Sequence, residues 1–315
     1  MNRTITTIAA AAILATATLS LPGQAAEPAP APAPGPKAST TKDKAISGEP
    51  ILMGVRASSS PVSYKDGNTY IGLAVDLCTR AIEDMKKSYP KANFKFVEVT
   101  SSTRIDMLKE GKIDLECGST TNSASRRKEV NFSVPYYIAS VKAVKLKSNT
   151  AVRTLDDIGP DSTVIFTDKT TTADGLGKFN PNFRVKSTQK VFKLMKGKDH
   201  QDSFDLLTAG KGDIFANDDI LLKGLIERSK DPSKYEFLPE NFSLEPYAVM
   251  TRKDDEFMTT AVSKTITKLM LSGEFDNYYT SWFLEAIPPF NKSLKIPMSP
   301  LLREYVRMPT RIVGN

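Results

Sequence analysis

Histidine, tryptophan and cysteine are scarce in this chain: its 315 residues hold one His, one Trp and two Cys. A lone histidine and two widely separated cysteines exclude a zinc site built on paired Cys and His at ligand spacing. Two cysteines also exclude a small scaffold stapled by many bridges. Long apolar runs are missing beyond the N-terminus, where no stretch offers the roughly 20 apolar residues of a spanning helix. Concentrated positive charge is missing too. The net charge is +7, and Lys and Arg are spread along the chain rather than gathered into the basic stripe of a nucleic-acid protein. What remains is an ordinary globular composition, 40% hydrophobic and 25% charged, long enough for one large or two medium domains.

The first residues set the expected compartment. Met1-Asn2-Arg3 is basic, Ile8 to Leu21 is apolar and small, and Gly23-Gln24-Ala25-Ala26 supplies small residues for cleavage. This is the pattern of a secretory signal over residues 1–26, with no following cysteine for a lipid anchor. The mature protein is expected to be soluble and exported. Residues 27–48, which begin with alternating Ala and Pro, read as a disordered leader.

From Pro50 onward, strand and helix patterns alternate, the rhythm of a parallel sheet. Apolar runs at Ile51–Val55, Phe94–Val99 and Ile113–Cys117 read as strands. Ala74, Leu77, Cys78, Ala81, Ile82 and Met85 follow helical spacing. Asp66-Gly67 marks a hairpin turn. A second unit repeats the rhythm with strands at Thr163–Thr167, Phe183–Val185 and Ile214–Ala216. One internal echo links the halves: Ile105 to Leu115 and Phe204 to Ile214 both read helix, Gly stop, Lys, Asp, strand. Val141–Lys147 and Pro246–Thr251 read as two extended connections flanking an inserted lobe, a two-strand hinge. Lobe 1 is then 49–142 plus 250–290, lobe 2 is 143–249, and 291–315 is a polar, Pro-punctuated tail draped on the surface. Cys78 and Cys117 both face a helix–sheet core, where a bridge and two buried thiols both remain open.

Candidate binding residues cluster after the strands, where α/β proteins take ligands. Cys117 runs into Gly118, Ser119, Thr120 and Thr121, with Arg126 close behind. Hydroxyls, free backbone N–H groups and an Arg suit a carboxylate. Arg104 opens a helix, an unfavourable place for a cation. Asp218 precedes Ile220-Leu221-Leu222 and suits a helix N-cap.

The chain resembles the periplasmic solute-binding proteins of ABC transporters for polar amino acids, most closely the glutamate/aspartate-binding branch. The resemblance rests on Thr100-Ser101-Ser102-Thr103-Arg104-Ile105, on Glu116 to Asn122 with Arg126, and on Lys198 to Phe204. Asn217-Asp218-Asp219, Arg252 to Asp255, Trp282-Phe283 and Ile287-Pro288-Pro289 complete it. It implies a two-lobed α/β fold of the type II periplasmic-binding kind, each lobe a mostly parallel sheet flanked by helices. It implies an acidic L-amino acid as ligand, an inner-membrane ABC permease as partner, no cofactor and a monomer. It implies that Arg126, Ser119, Thr121, Thr170 and Thr171 take the α-carboxylate and that Asp218 takes the ammonium. Arg56, Ser101, Arg104 and His200 would surround the side-chain carboxylate. The chain departs from the family at Ala74, at Asp168-Lys169, and in a longer stretch between Thr172 and His200. Two other functions remain to be weighed: a lyase or dehydratase on the same scaffold, with His200 as its one candidate base, and a sensing module that acts through a partner.

Overall fold

The structure is a computed structural model, and it describes residues 39–174, 192–241, 243–289 and 291–313. The expected signal segment, the Ala/Pro stretch through residue 38 and the expected strand Phe183–Val185 lie outside the described residues.

The chain starts with α1 (Thr41–Ser47), which corrects the expected disordered leader at 41–47. The Thr40 and Asp43 side chains form a reciprocal capping box, and Gly48 closes the helix at φ 87°. Lys44 reaches buried Asp114 at 2.8 Å, so the helix is anchored to the body of the protein. Then come β1 (Ile51–Val55), a small antiparallel sheet of β2 (Ser58–Ser59), β3 (Ser63–Asp66) and β4 (Thr69–Ile71), and α2 (Leu73–Lys86). The hairpin between β3 and β4 turns on Gly67 at φ 56°, where a side chain would be strained. The chain continues through β5 (Phe94–Glu98), α3 (Arg104–Lys109), β6 (Leu115–Cys117), α4 (Ala124–Arg127), β7 (Asn131–Phe132) and β8 (Tyr137–Leu146). The second lobe adds β9 (Thr163–Thr167), β10 (Lys193–Gly197), α5 (His200–Thr208), β11 (Ile214–Asp218), α6 (Asp219–Arg228) and β12 (Tyr235–Phe237). Return to the first lobe runs through β13 (Leu244–Tyr247), β14 (Met250–Thr251), α7 (Glu256–Ser272) and α8 (Glu274–Phe283). A hairpin of β15 (Ala286–Ile287) and β16 (Lys292–Ser293) and a last helix, α9 (Pro300–Arg307), follow.

Two sheets of like design result. The first runs β5-β1-β6-β14-β7 and the second β10-β9-β11-β8-β12. In each, the first three strands are parallel and the remaining pairings are antiparallel, so the sheets are mixed rather than mostly parallel. The helical spacing in α2 buries Ala74, Leu77, Cys78, Ala81, Ile82 and Met85 against the first sheet, together with α7 and α8. Cys78 and Cys117 are bonded, tying α2 to β6. The second sheet is covered on both faces, by a cluster around Val164 and Phe192 and by one around Phe215 and Leu222.

The internal echo is also structural. Gly111 and Gly210 stop α3 and α5 at φ 71° and 66°. The carboxylates of Asp114 and Asp213 each accept a backbone N–H at 2.7 Å, from Leu52 and Thr163, which stand on the neighbouring strands. The connection between lobes is a ribbon pairing Tyr137–Ser140 with Leu244–Tyr247. It lies a few residues earlier than expected on its first strand, because Val141 and its successors already pair with β11 and β12. The tail is more ordered than a surface drape. Ser299 caps α9, Pro300 opens it, and Leu302 is buried against the first lobe.

Candidate functional site

Six strands, three from each lobe, aim their carboxyl ends at one cleft. β1 delivers Arg56. β5 delivers Ser101 and, through α3, Arg104. β6 delivers Ser119, Thr121 and, through α4, Arg126. β9 delivers Thr170 and Thr171, β10 delivers His200 at the start of α5, and β11 delivers Asp218. Nine of these residues are buried and Thr171 is half-buried.

Three arginines converge on the first-lobe side. The Arg56 guanidinium donates to Ser101 Oγ at 2.5 Å, and Arg104 Nε to Thr120 Oγ1 at 2.7 Å. Arg104 also holds the Ser101 carbonyl. Arg126 donates to the Thr121 carbonyl at 3.1 Å. Burial lowers the pKa of all three. For Arg104, which is pushed furthest, the neighbouring charges of Arg126 and Arg56 add to the effect. Buried guanidiniums held together this way call for anionic partners.

The second lobe meets them directly. The Lys169 carbonyl accepts from Arg126 at 3.2 Å and from Arg104 at 3.4 Å. Lys169 has φ 53°, unusual for a residue with a side chain, and its ammonium reaches Asp106 on α3 at 2.7 Å. The departure at Asp168-Lys169 therefore makes a cross-cleft contact. Thr121 Oγ1 lies 3.5 Å from Thr171 Oγ1, and Ser101 Oγ lies 3.5 Å from His200 Nε2. His200 Nδ1 lies 3.0 Å from the Asn217 amide nitrogen and 3.1 Å from Thr167 Oγ1; with the amide nitrogen as donor, Nδ1 accepts and the ring proton sits on Nε2, toward Ser101. Burial, followed by the charges of Arg56 and Arg104, holds the His200 pKa well below its usual value, so the ring is a neutral donor.

Asp218 stands at the N-cap position of α6, but its side chain makes no capping bond. That task falls to Asp219, whose Oδ1 accepts from Ile220 N at 2.7 Å and Ser140 N at 3.2 Å. The Asp218 carboxylate instead turns into the cleft. Oδ2 accepts the Tyr247 hydroxyl, and Oδ1, buried, has no hydrogen-bond partner among the described residues. Burial and the charge of Glu245 push its pKa up to about 8.

Two expected hydroxyls are otherwise engaged. Thr170 Oγ1 donates to the Thr167 carbonyl at 2.7 Å and accepts from Ala173 N, so it caps the local turn. Ser119 Oγ donates to Ser59 Oγ at 3.2 Å. Three residues were not foreseen in the site. Tyr247 holds Asp218. Glu245 accepts from Thr171 at 2.8 Å. Glu116 is fully buried, 3.9 Å from Arg56. Tyr247 sits in the run read as hinge, Glu245 one residue before it, and Glu116 in the run read as strand. A carboxylate or phenol in a predicted buried strand was the available signal.

Residues 51–285 match the family described as bacterial extracellular solute-binding proteins, family 3. The chain belongs to this family. Among similar proteins is the glutamate/aspartate import solute-binding protein of Escherichia coli (strain K12), 32% identical over 275 residues, covering 86% of this chain and 89% of the relative. The L-glutamate/L-aspartate-binding protein of Pseudomonas aeruginosa is 33% identical over 264 residues, covering 82% and 85%. A solved structure of an ancestral amino acid-binding protein, AncCDT-1, described as a precursor of cyclohexadienyl dehydratase, has TM-score 0.66 at 23% identity over 78% of this chain and 99% of its own. The P235GK mutant of ArgBP from T. maritima has TM-score 0.67 at 23% identity, covering 78% and 100%. These two likenesses support the two-lobed fold. This family member is an amino-acid solute-binding protein of ABC transport.

Proposed function

We propose that the protein captures L-glutamate or L-aspartate between its lobes and delivers it to an ABC permease in the inner membrane. The observation that carries this reading is the placement of charge: three buried arginines gather on the first-lobe side, Arg56 with Glu116 beside it, and on the second lobe the Asp218 carboxyl keeps a buried oxygen that accepts no hydrogen bond among the described residues. A dicarboxylic amino acid brings two anions for the arginines and one cation for Asp218. Arg126 takes the α-carboxylate with Thr121 and Thr171, on a floor shaped by Ser119 and Thr170. Asp218 Oδ1 takes the ammonium. Arg56, Ser101, Arg104 and the Nε2–H of His200 take the side-chain carboxylate. The names of the Escherichia coli and Pseudomonas aeruginosa relatives support the same ligand class.

Closure is the mechanism, because ligand groups on both lobes are satisfied only when the lobes meet, and that differential affinity shifts the population. Residues 1–26 direct export to the periplasm, where the protein acts as a monomer. The lyase or dehydratase reading is not favoured, because burial and the charges of Arg56 and Arg104 hold the pKa of His200, its one candidate base, well below the usual imidazole value.

The test is calorimetry on protein stripped of bound amino acid. Glutamine leaves a buried guanidinium without its anion, so it should bind at least ~100-fold more weakly than glutamate. Equal affinities would remove the dicarboxylate assignment.

A further inference from the structure

We infer that Glu116 is a built-in counter-anion for Arg56, which competes with the ligand's side-chain carboxylate and so sets how strongly the cleft prefers an anionic ligand over a neutral one. The inference rests on the acidic amino-acid reading above.

Glu116 lies on β6 with no exposed surface, and neither carboxylate oxygen has a hydrogen-bond partner among the described residues. A buried carboxylate left without hydrogen bonds is costly, so its place needs a reason. Its Oε1 is 3.9 Å from the Arg56 guanidinium. That is too long for a hydrogen bond, so the pair is Coulombic. Orientation of Arg56 comes from Ser101, at 2.5 Å. Glu116 therefore supplies charge, not geometry. Its charge opposes the effect of burial on Arg56 and also acts on Arg104 and Arg126.

The backbone is built to admit this pair. Gly118 lies beside it, and a Cβ there would strike Glu116 Oε1 and stand 2.7 Å from Arg56 Cγ. Any residue but glycine at 118 would push the two charges out of place. While the cleft is empty, Glu116 keeps Arg56 from being a lone buried cation. When a ligand carboxylate arrives, Arg56 is already partly compensated, and the gain from the ligand's charge is reduced.

The sign follows. Glu116→Gln keeps length and volume and removes the charge. It should bind glutamate about tenfold more tightly than the wild type while glutamine affinity stays unchanged, which widens the glutamate-to-glutamine ratio by the same factor. Glu116→Met, neutral and of like length but without unpartnered amide groups, should do the same. The measurement is calorimetry with both ligands on all three proteins, with circular dichroism to verify folding. A ratio that is unchanged or narrowed in a folded variant overturns the inference. Failure of both variants to fold overturns it as well, since Glu116 then serves the fold. A wild type that binds glutamate and glutamine alike defeats the dicarboxylate reading itself, a result separate from either outcome.

Discussion

At the scale of the residue, Asp218 concentrates the chemistry of the cleft. Among the described residues its one accepted bond comes from Tyr247, and its other oxygen is buried without a partner. In the unfolded chain an aspartate titrates near 3.8, whereas burial and Glu245 raise Asp218 to about 8 in the folded protein. A folded-state pKa raised in this way gives stability that is fully present below the lower value and is lost as pH rises through the upper one. The ligand-free protein should therefore lose stability between about pH 4 and pH 8 through this group. Asp218→Asn should raise the thermal midpoint of the empty protein, by more at pH 8 than at pH 5, while removing measurable amino-acid affinity. An equal gain at both pH values would take Asp218 out of the linkage. Much of this was hidden in the sequence. Asp218 looked like a capping residue, and only the fold shows Asp219 taking that task. Its tie to Tyr247 spans 29 residues, beyond any local pattern.

At the scale of the element, α6 meets the first lobe along a single face. Ile220 and Leu221 join the first-lobe core, and the Arg228 guanidinium sits 5.2 Å from the centre of the Tyr64 ring. Between them Gly224 lies against Ser60. A Cβ at 224 would be 2.8 Å from the Ser60 carbonyl carbon and closer still to its oxygen. Neither is a flexible side chain that can swing aside. Gly224→Ala should push α6 off this contact by roughly 1 Å, given ordinary carbon contact distances. We expect amino-acid affinity to fall by at least about tenfold in a protein that still folds, with a larger radius of gyration in saturating ligand by small-angle scattering. Unchanged affinity would show that the helix can slide past Ser60. Elements with strong periodicity were readable. The spacing in α2, the Asp-Gly hairpin and the echo of α3 in α5 all follow from local chemistry. α1 was missed because its capping box lies beside a Pro/Ala stretch that pointed to disorder, and α9 because proline punctuation outweighed the Ser299-Pro300 start signal. The hinge ribbon was displaced because one long alternating strand, β8, serves both the ribbon and the second sheet.

At the scale of the molecule, the order of the chain makes two similar sheets face each other, and the disulfide stiffens only one of them. Cys78–Cys117 closes a loop of 39 residues inside the first lobe. A bridge over such a loop contributes about 3–4 kcal/mol in the chain-entropy picture. Reduction should lower the thermal midpoint by several degrees and leave amino-acid affinity unaltered, since neither sulfur faces the cleft. A large loss of affinity on reduction would mean that β6 needs the bridge to present Ser119 and Thr121. The two-lobed plan itself was legible from repeated strand–helix rhythm, whereas the facing of one lobe on the other was not, because no sequence pattern records contacts across a cleft. The Lys169 carbonyl makes those contacts without carrying charge. It acts as a placeholder, occupying Arg104 and Arg126 without neutralising them. Under the closure proposed above, opening would withdraw the placeholder, because it rides on the opposite lobe, and the two arginines would meet the next solute with their charge undiminished.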